Sequence, residues 1–234
     1  MLTLKVLSSG SQGNCYLLQS GEETLILDCG IPIKEIKIGL NFDISNVVGV
    51  CVSHAHLDHS KSVADFEKMG IPVWQPYRKS KLIDHMKFGD FSVQCFPLPH
   101  NGCANFGFYI KVAEQKILYL TDYEYCRFNF KSLAVNHIFC ECNYQKKLVE
   151  KGLPNYKHKV MGHSSLDYCK RFISDNATDA LQTILLFHMG AETCNPIECV
   201  AEVQKVAGNG VYVDYARAGE EYQLRKGKGR KNDE

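Results

Sequence analysis

Val50-Cys-Val-Ser-His54-Ala-His56-Leu-Asp58-His59-Ser60 is the stretch on which the reading of this chain turns. An apolar run of strand character feeds four potential metal ligands within six residues. On an extended segment the side chains at i and i+2 share a side, so His54 and His56 are expected to converge on one ion. Asp58 and His59 fall where the strand must turn into the next helix, and a turn can aim them at a second position. The competing account is a polar loop that holds histidines by accident. Four imidazole or carboxylate groups directly after a hydrophobic strand weigh against it.

Outward from this cluster, three further groups sit in similar settings. His100 follows a strand-like run in Pro97-Leu-Pro-His100-Asn-Gly, Asp122 closes Ile117-Leu-Tyr-Leu-Thr121, and His188 closes Ile184-Leu-Leu-Phe187. The C-terminal edge of a buried strand is where a layered sheet presents its active-site groups. Singly, each is an ordinary hydrogen-bonded strand end; beside the cluster, they supply the remaining ligands that two ions need.

Short runs of β-branched, aromatic or leucine residues bounded by turn formers predict strands at Thr3–Leu7, Cys15–Gln19, Thr24–Asp28, Val47–Ser53, Phe91–Pro97, Phe106–Val112, Lys116–Thr121, His137–Cys142 and Thr183–Phe187. Helical periodicity predicts helices around Ser60–Met69, Tyr77–Lys87, Leu166–Ser174 and Ile197–Val206, the last introduced by the cap-and-proline pair Asn195-Pro196. Strands with helices interspersed imply an α/β protein of two packed sheets with helices outside.

Charged residues make up 23% and hydrophobic residues 45% of the 234, an ordinary globular balance. The net charge of +1 gives no electrostatic argument for nucleic acid over the whole surface. Arg225–Lys231 is the exception, five basic residues and two glycines read as a flexible basic tail (225–234) behind one domain over 1–224. Such a tail is a solvated terminus or a weak contact for phosphate backbones. No apolar run reaches membrane-spanning length, and Met1–Leu7 lacks the pattern of a secretory signal. The 11 cysteines are scattered without a CxxC pair, which fits reduced thiols packed as small hydrophobes in a cytoplasmic protein.

His54-x-His56-x-Asp58-His59, followed in order by His100, Asp122 and His188, resembles the metallo-β-lactamase superfamily, and Asp28 in Leu25-Ile-Leu-Asp28-Cys-Gly is similar to its first motif. That resemblance implies a four-layer αββα sandwich. It implies one ion on His54, His56 and His100, a second on Asp58, His59 and His188, Asp122 bridging them, and Asp28 supporting the ligands from behind. Two divalent ions, Zn²⁺ in the first instance and Mn²⁺ in the second, would share a water at ~3.5–4 Å separation and present it as hydroxide.

Within the superfamily, Glu141 after a strand and His163 in Met161-Gly-His163-Ser-Ser are similar to the glutamate–histidine pair of the RNase Z-like phosphodiesterases. There the histidine contacts phosphate and protonates the leaving oxygen, so Asp58, His163 and Glu141 are the expected catalytic groups. The alternative for this segment is a helix start capped by Ser164 or Ser165. Leu7-Ser-Ser-Gly-Ser-Gln-Gly-Asn14-Cys-Tyr and Phe187-His-Met-Gly-Ala-Glu-Thr-Cys-Asn-Pro196 resemble the WalJ/YycJ-type DNA exonuclease branch. Its implication is a cytoplasmic DNA nuclease of undetermined oligomeric state, with a dimer allowed. Ser8–Asn14 is either a turn that brings backbone N–H groups and hydroxyls to the metals or a plain connection. Departures are the 21 residues between His100 and Asp122, too few for an RNA-gripping arm, and His163-Ser-Ser and His188-Met-Gly where His-Leu-Ser is usual. Cyclic-nucleotide hydrolysis, thioester hydrolysis of the glyoxalase II kind, and a non-enzymatic metal-binding role stay open.

Overall fold

The order of side chains along the strands explains the layers. In a strand, neighbouring residues face opposite sides, so a run that is apolar throughout is buried on both faces. The computed structural model describes residues 1–79, 81–149 and 156–224. It contains β1 (Leu2–Ser8), β2 (Cys15–Ser20), β3 (Glu23–Cys29), α1 (Ile33–Gly39), β4 (Val47–Cys51), α2 (Leu57–Ser60), α3 (Val63–Lys68), β5 (Val73–Trp74), β6 (Asp84–Phe88), β7 (Phe91–His100), β8 (Cys103–Val112), β9 (Gln115–Leu120), β10 (His137–Glu141), α4 (Tyr156–Gly162), α5 (Leu166–Asn176), β11 (Thr183–Phe187), α6 (Pro196–Ala207), β12 (Tyr212–Tyr215) and β13 (Glu221–Gln223). The basic stretch Arg225–Lys231 lies outside the described residues.

One sheet runs β13-β1-β2-β3-β4-β5 and the other β12-β11-β10-β9-β8-β7-β6. Tyr16, Leu18, Leu25 and Leu27 of the first face Phe108, Tyr119, Phe139 and Phe187 of the second, forming the central core. Their neighbours in sequence face outward. Leu17, Ile26 and Val50 pack under Ile36 of α1 and Phe66 of α3. Leu118, Leu120, Ile138 and Leu186 pack under Phe172 of α5 and Val203 of α6. The result is the expected αββα order. Each fully buried Leu or Phe contributes about 1.5–3 kcal/mol of transfer free energy.

Two expectations need correction. Tyr77–Lys87 is not a helix; a single 3₁₀ turn at Pro76–Arg78 precedes strand β6. β6 alternates half-buried and exposed residues and forms an antiparallel hairpin with β7, which reverses at Gly89-Asp90. A two-residue period that ends in a glycine turn outweighs the helical count taken over the same window. His54 and His56 also do not lie on a strand. The β4 ladder has ended at Cys51, and His56 is the extended residue at the N-terminus of α2. Their convergence is a property of the loop. α5 is capped as foreseen, with Ser165 Oγ accepting from Tyr168 N, and α6 starts at Asn195-Pro196.

β3 and β4 run parallel, as do β9, β10, β11 and β12. The C-terminal ends of these strands bring their exit residues to one rim, and the chemistry is there. Among the described residues no helix is long and apolar enough to cross a membrane.

Candidate metal centre

Three strand ends carry a left-handed residue at the rim: Asp28, the penultimate residue of β3, with φ 56°, Asp122 after β9 with φ 49° and His188 after β11 with φ 48°. The turn each takes there swings a polar side chain into the gap between the sheets. The floor is Asp28, fully buried. Its Oδ1 accepts from Ser53 N at 2.7 Å, and its Oδ2 accepts from Ser53 Oγ at 3.0 Å, Tyr119 Oη at 2.5 Å and His59 Nδ1 at 2.8 Å. Burial, then the Asp28 charge, pushes the Tyr119 phenol well up, so it remains a donor. Asp28 thus lies beneath the histidine cluster and is bonded to one of its rings, His59.

Imidazole nitrogens meet above this floor. His100 Nδ1 donates to Gly162 O at 2.6 Å, which leaves its Nε2 a lone pair. His54 Nδ1 lies 3.0 Å from Ser53 Oγ, whose own proton goes to Asp28, so His54 Nε2 is also a lone pair. Both point at His56 Nδ1, at 3.0 Å and 3.3 Å. One proton cannot serve three nitrogens. Asp122 Oδ2 stands 3.9 Å from both His54 Nε2 and His100 Nε2. Three nitrogens and a carboxylate oxygen around one point form a donor set that fits a divalent transition metal. Burial, then the His59 charge, holds the His54 imidazole far below its ordinary value, ready to ligate at any working pH.

The other Asp122 oxygen faces His188 and His59, which do not close with Asp58 into one compact set: His188 groups with Asp122, Glu141 and His163, and His59 with His54 and Asp122. Oδ1 is 2.9 Å from His188 Nδ1 and 3.5 Å from His59 Nε2, which is 3.7 Å from Asp58 Oδ2. His188 Nε2 is buried without a hydrogen-bond partner, an orphaned donor or acceptor of the kind a bound ion satisfies. Burial pulls the His188 imidazole down, but the Asp122 and Glu141 carboxylates override it and push it up to about 10. His59 is likewise raised by Asp122 and Asp28 against its burial. A cation in this place would displace those protons. It would also displace the Asn14 side-chain amide, 2.9 Å from His59 Nε2.

Next to this centre, Glu141 is fully buried and takes hydrogen bonds from His163 Nδ1 at 2.6 Å, His188 Nδ1 at 2.9 Å, Ser164 N at 3.1 Å and Tyr123 N at 3.0 Å. Burial would raise its carboxyl, but His163 foremost holds it low. Reciprocally, burial would lower His163, and Glu141 raises it. Ser165 caps α5 while His163 pairs with Glu141, so the two accounts of Gly162–Ser165 hold together.

All of the expected residues, Asp28, His54, His56, Asp58, His59, His100, Asp122, Glu141, His163 and His188, are thus brought to one rim. Sequence reasoning passed over Ser53, Tyr119 and Asn14 as individual groups. Ser53 alone carried a signal, sharing strand parity with the inward Cys51; the others come near only through folding. The Ser8–Gln12 turn, with Met189–Glu192, Asn143, His163 and His188, lines a cavity of about 560 Å³ that opens beside the centre. Ser9 Oγ there accepts from His188 N at 3.0 Å and from Tyr16 Oη at 2.8 Å.

Residues 9–125 match the family described as the metallo-beta-lactamase superfamily. The chain is 23% identical to the exodeoxyribonuclease YycJ of Bacillus anthracis over 82% of its own length and 83% of that protein. It is 22% identical to the exodeoxyribonuclease WalJ of Streptococcus pneumoniae over 90% and 91%. The crystal structure of the metallo-beta-lactamase fold protein YhfI from Bacillus subtilis superposes with a TM-score of 0.68 at 16% identity, covering 94% of this chain and 98% of that one.

Proposed function

Because this chain belongs to the metallo-beta-lactamase superfamily and is a hydrolase of it, we propose that its rim carries two divalent ions and cleaves phosphodiesters, with DNA as substrate. His54, His56 and His100 would hold one ion, Asp58, His59 and His188 the other, and Asp122 both. The observation that carries this is the division of Asp122, whose Oδ2 faces His54 and His100 and whose Oδ1 faces His59 and His188. An all-nitrogen-and-oxygen set with a shared carboxylate suits Zn²⁺, with Mn²⁺ next. Bound there, the ions supply Lewis acidity and lower the pKa of a water toward neutrality.

The chain's own groups do the rest. Asp28, Ser53 and Tyr119 hold the ligand rings in orientation. His163, kept protonated by Glu141, gives its proton to the departing oxygen. This pair favours a phosphodiester over a thioester, since an alkoxide needs a proton to leave and a thiolate does not. The cavity beside it, of about 560 Å³, lies in the size range of small-ligand sites and fits a terminal nucleotide. Reading that substrate as DNA, cleaved from an end, rests on the two exodeoxyribonucleases.

The test is to load the protein with Zn²⁺ or Mn²⁺, count bound metal, and incubate it with end-labelled duplex DNA, a cyclic nucleotide and S-lactoylglutathione. Two equivalents of metal and release of nucleotides from a DNA end are expected. Loss of the thioester alone, or full turnover with one equivalent, overturns the proposal. Asp122→Ala is expected to lose metal and turnover together.

A further inference from the structure

Behind the catalytic rim lies a second concentration of ligands. On β10, Phe139 belongs to the core between the sheets and Glu141 faces the rim, while Cys140 and Cys142, the latter just past the strand, belong to the outer core under α5 and α6. There Cys142 meets Cys194, in the loop after His188, and Cys199, in the first turns of α6; their three sulfurs lie within 4.8 Å of one another. Cys194 Sγ is 3.1 Å from Cys199 Sγ. Cys169 of α5 approaches the same group, interacting with Cys142 and standing 3.6 Å from Cys140 Sγ. Cys142, Cys169 and Cys199 are fully buried, and Cys194 is 7% exposed, the one member at the edge.

We infer that Cys142, Cys169, Cys194 and Cys199 form a structural metal site, all-thiolate and separate from the histidine–aspartate centre, for a thiophilic divalent cation such as Zn²⁺. A tetrahedron with ~2.3 Å metal–sulfur arms has sulfurs about 3.8 Å apart; the trio Cys142, Cys194 and Cys199 is compact on that scale, and Cys169, which stands outside the trio, must turn toward it to supply the fourth arm. The Cys194–Cys199 contact is far longer than the roughly 2.05 Å of a disulfide. Cys194 Sγ donates to Cys142 O at 3.3 Å, and the backbone N–H groups of all four residues are bonded to carbonyls, so none of them is turned to a sulfur.

Three separate pieces of chain supply the ligands, which gives the site a use. It would pin α5 and α6 to the end of β10, behind the loop that runs from His188 past the cavity. That loop is tied to the same strand end by Gly190 N to Asn143 O at 2.9 Å and Asn143 Nδ2 to His188 O at 2.9 Å.

Cobalt distinguishes this site from the catalytic centre, because only sulfur ligands give a thiolate-to-cobalt charge-transfer band. Metal-free, reduced full-length protein titrated with Co²⁺ should develop that band to one equivalent. Asp122→Ala should keep it in full, whereas Cys194→Ser and Cys199→Ser should each weaken it and the double variant should weaken it further. Absence of the band from the wild type overturns the inference without recourse to any variant. A band of undiminished intensity in the double variant overturns it too. DNA cleavage without the band would refute this site and leave the catalytic proposal standing; the band without cleavage would do the reverse.

Discussion

The rim is strained on purpose at single residues. Asp28, Asp122 and His188 all hold positive φ without being glycine, a conformation that costs roughly 1–2 kcal/mol each. Each is held there by bonds made only in that pose. Asp122 is gripped through its carbonyl by Asn105 Nδ2 at 2.6 Å and through Oδ1 by Thr121 Oγ1 at 2.9 Å. These residues were legible in the sequence because each is a polar group closing an apolar run. Asn105, on β8, and Asn14, in a loop, were not, since an asparagine looks the same in sequence whether or not folding brings it to a ligand. The Glu141–His163 pair gives the sharpest prediction at this scale. Burial lowers His163 and Glu141 raises it, so its proton is present at low pH and is lost as pH rises through the raised value. Glu141→Gln removes the raising charge and leaves burial, so the falling alkaline limb of kcat/KM in metal-saturated enzyme should move to lower pH. His163→Ala should cut turnover ~10²–10⁴-fold with metal content unchanged. A limb that stays in place in Glu141→Gln would mean another group sets it.

Among the elements, strands were easier to foresee than helices because their two-residue alternation continues through both cores. β6 shows the limit: Asp84–Phe88 is short and half-exposed, and its pairing with β7 is decided by the turn at Gly89. α1 and the short strands β5, β12 and β13 went unforeseen, since pieces of two to seven residues have too few positions to establish a period. How the elements meet can be as demanding as what they are. At Gly30, after β3, a Cβ would fall 1.7 Å from Asp58 O and 2.6 Å from His59 N, so the backbones of β3 and α2 touch there. Asn14 N donates to Asp58 O at 2.7 Å, and Gly30 N donates to Asn14 O at 2.9 Å, closing the same junction. Gly30→Ala must push α2 away from the first sheet and carry Asp58 and His59 with it. The expected outcome is a loss of ~1–3 kcal/mol, seen as a melting temperature several degrees lower, with weaker binding of the second metal equivalent. An alanine variant that melts and binds metal like the wild type would show that the junction yields without cost.

At the scale of the whole molecule, stability and catalysis draw on opposite ends of the parallel strands. The C-terminal rim gathers charge and strain. The N-terminal end of β10 holds a buried histidine with no part in the site, His137, whose Nε2 meets Gln115 Oε1 at 3.0 Å and whose Nδ1 has no hydrogen-bond partner. Burial lowers its pKa from 6.5 to about 4. The unfolded chain would therefore take up this proton near its ordinary value, while the folded chain resists until far lower pH. Between those two values the unfolded state binds more protons, and stability falls as pH falls. Above about 6.5 His137 is neutral in both states and contributes no pH dependence; below about 4 it is charged in both, and the loss has been taken in full. The gap is worth roughly 3 kcal/mol, a large part of the margin of an ordinary domain. Glutamine keeps a hydrogen-bonding side chain there and removes the titration. His137→Gln should thus narrow the difference between denaturation midpoints at pH 7 and pH 4.5, with metal-depleted protein in every arm so that the rim is treated alike. If wild type and variant lose stability in parallel over that interval, the acid sensitivity belongs to the rim histidines and His137 is a bystander.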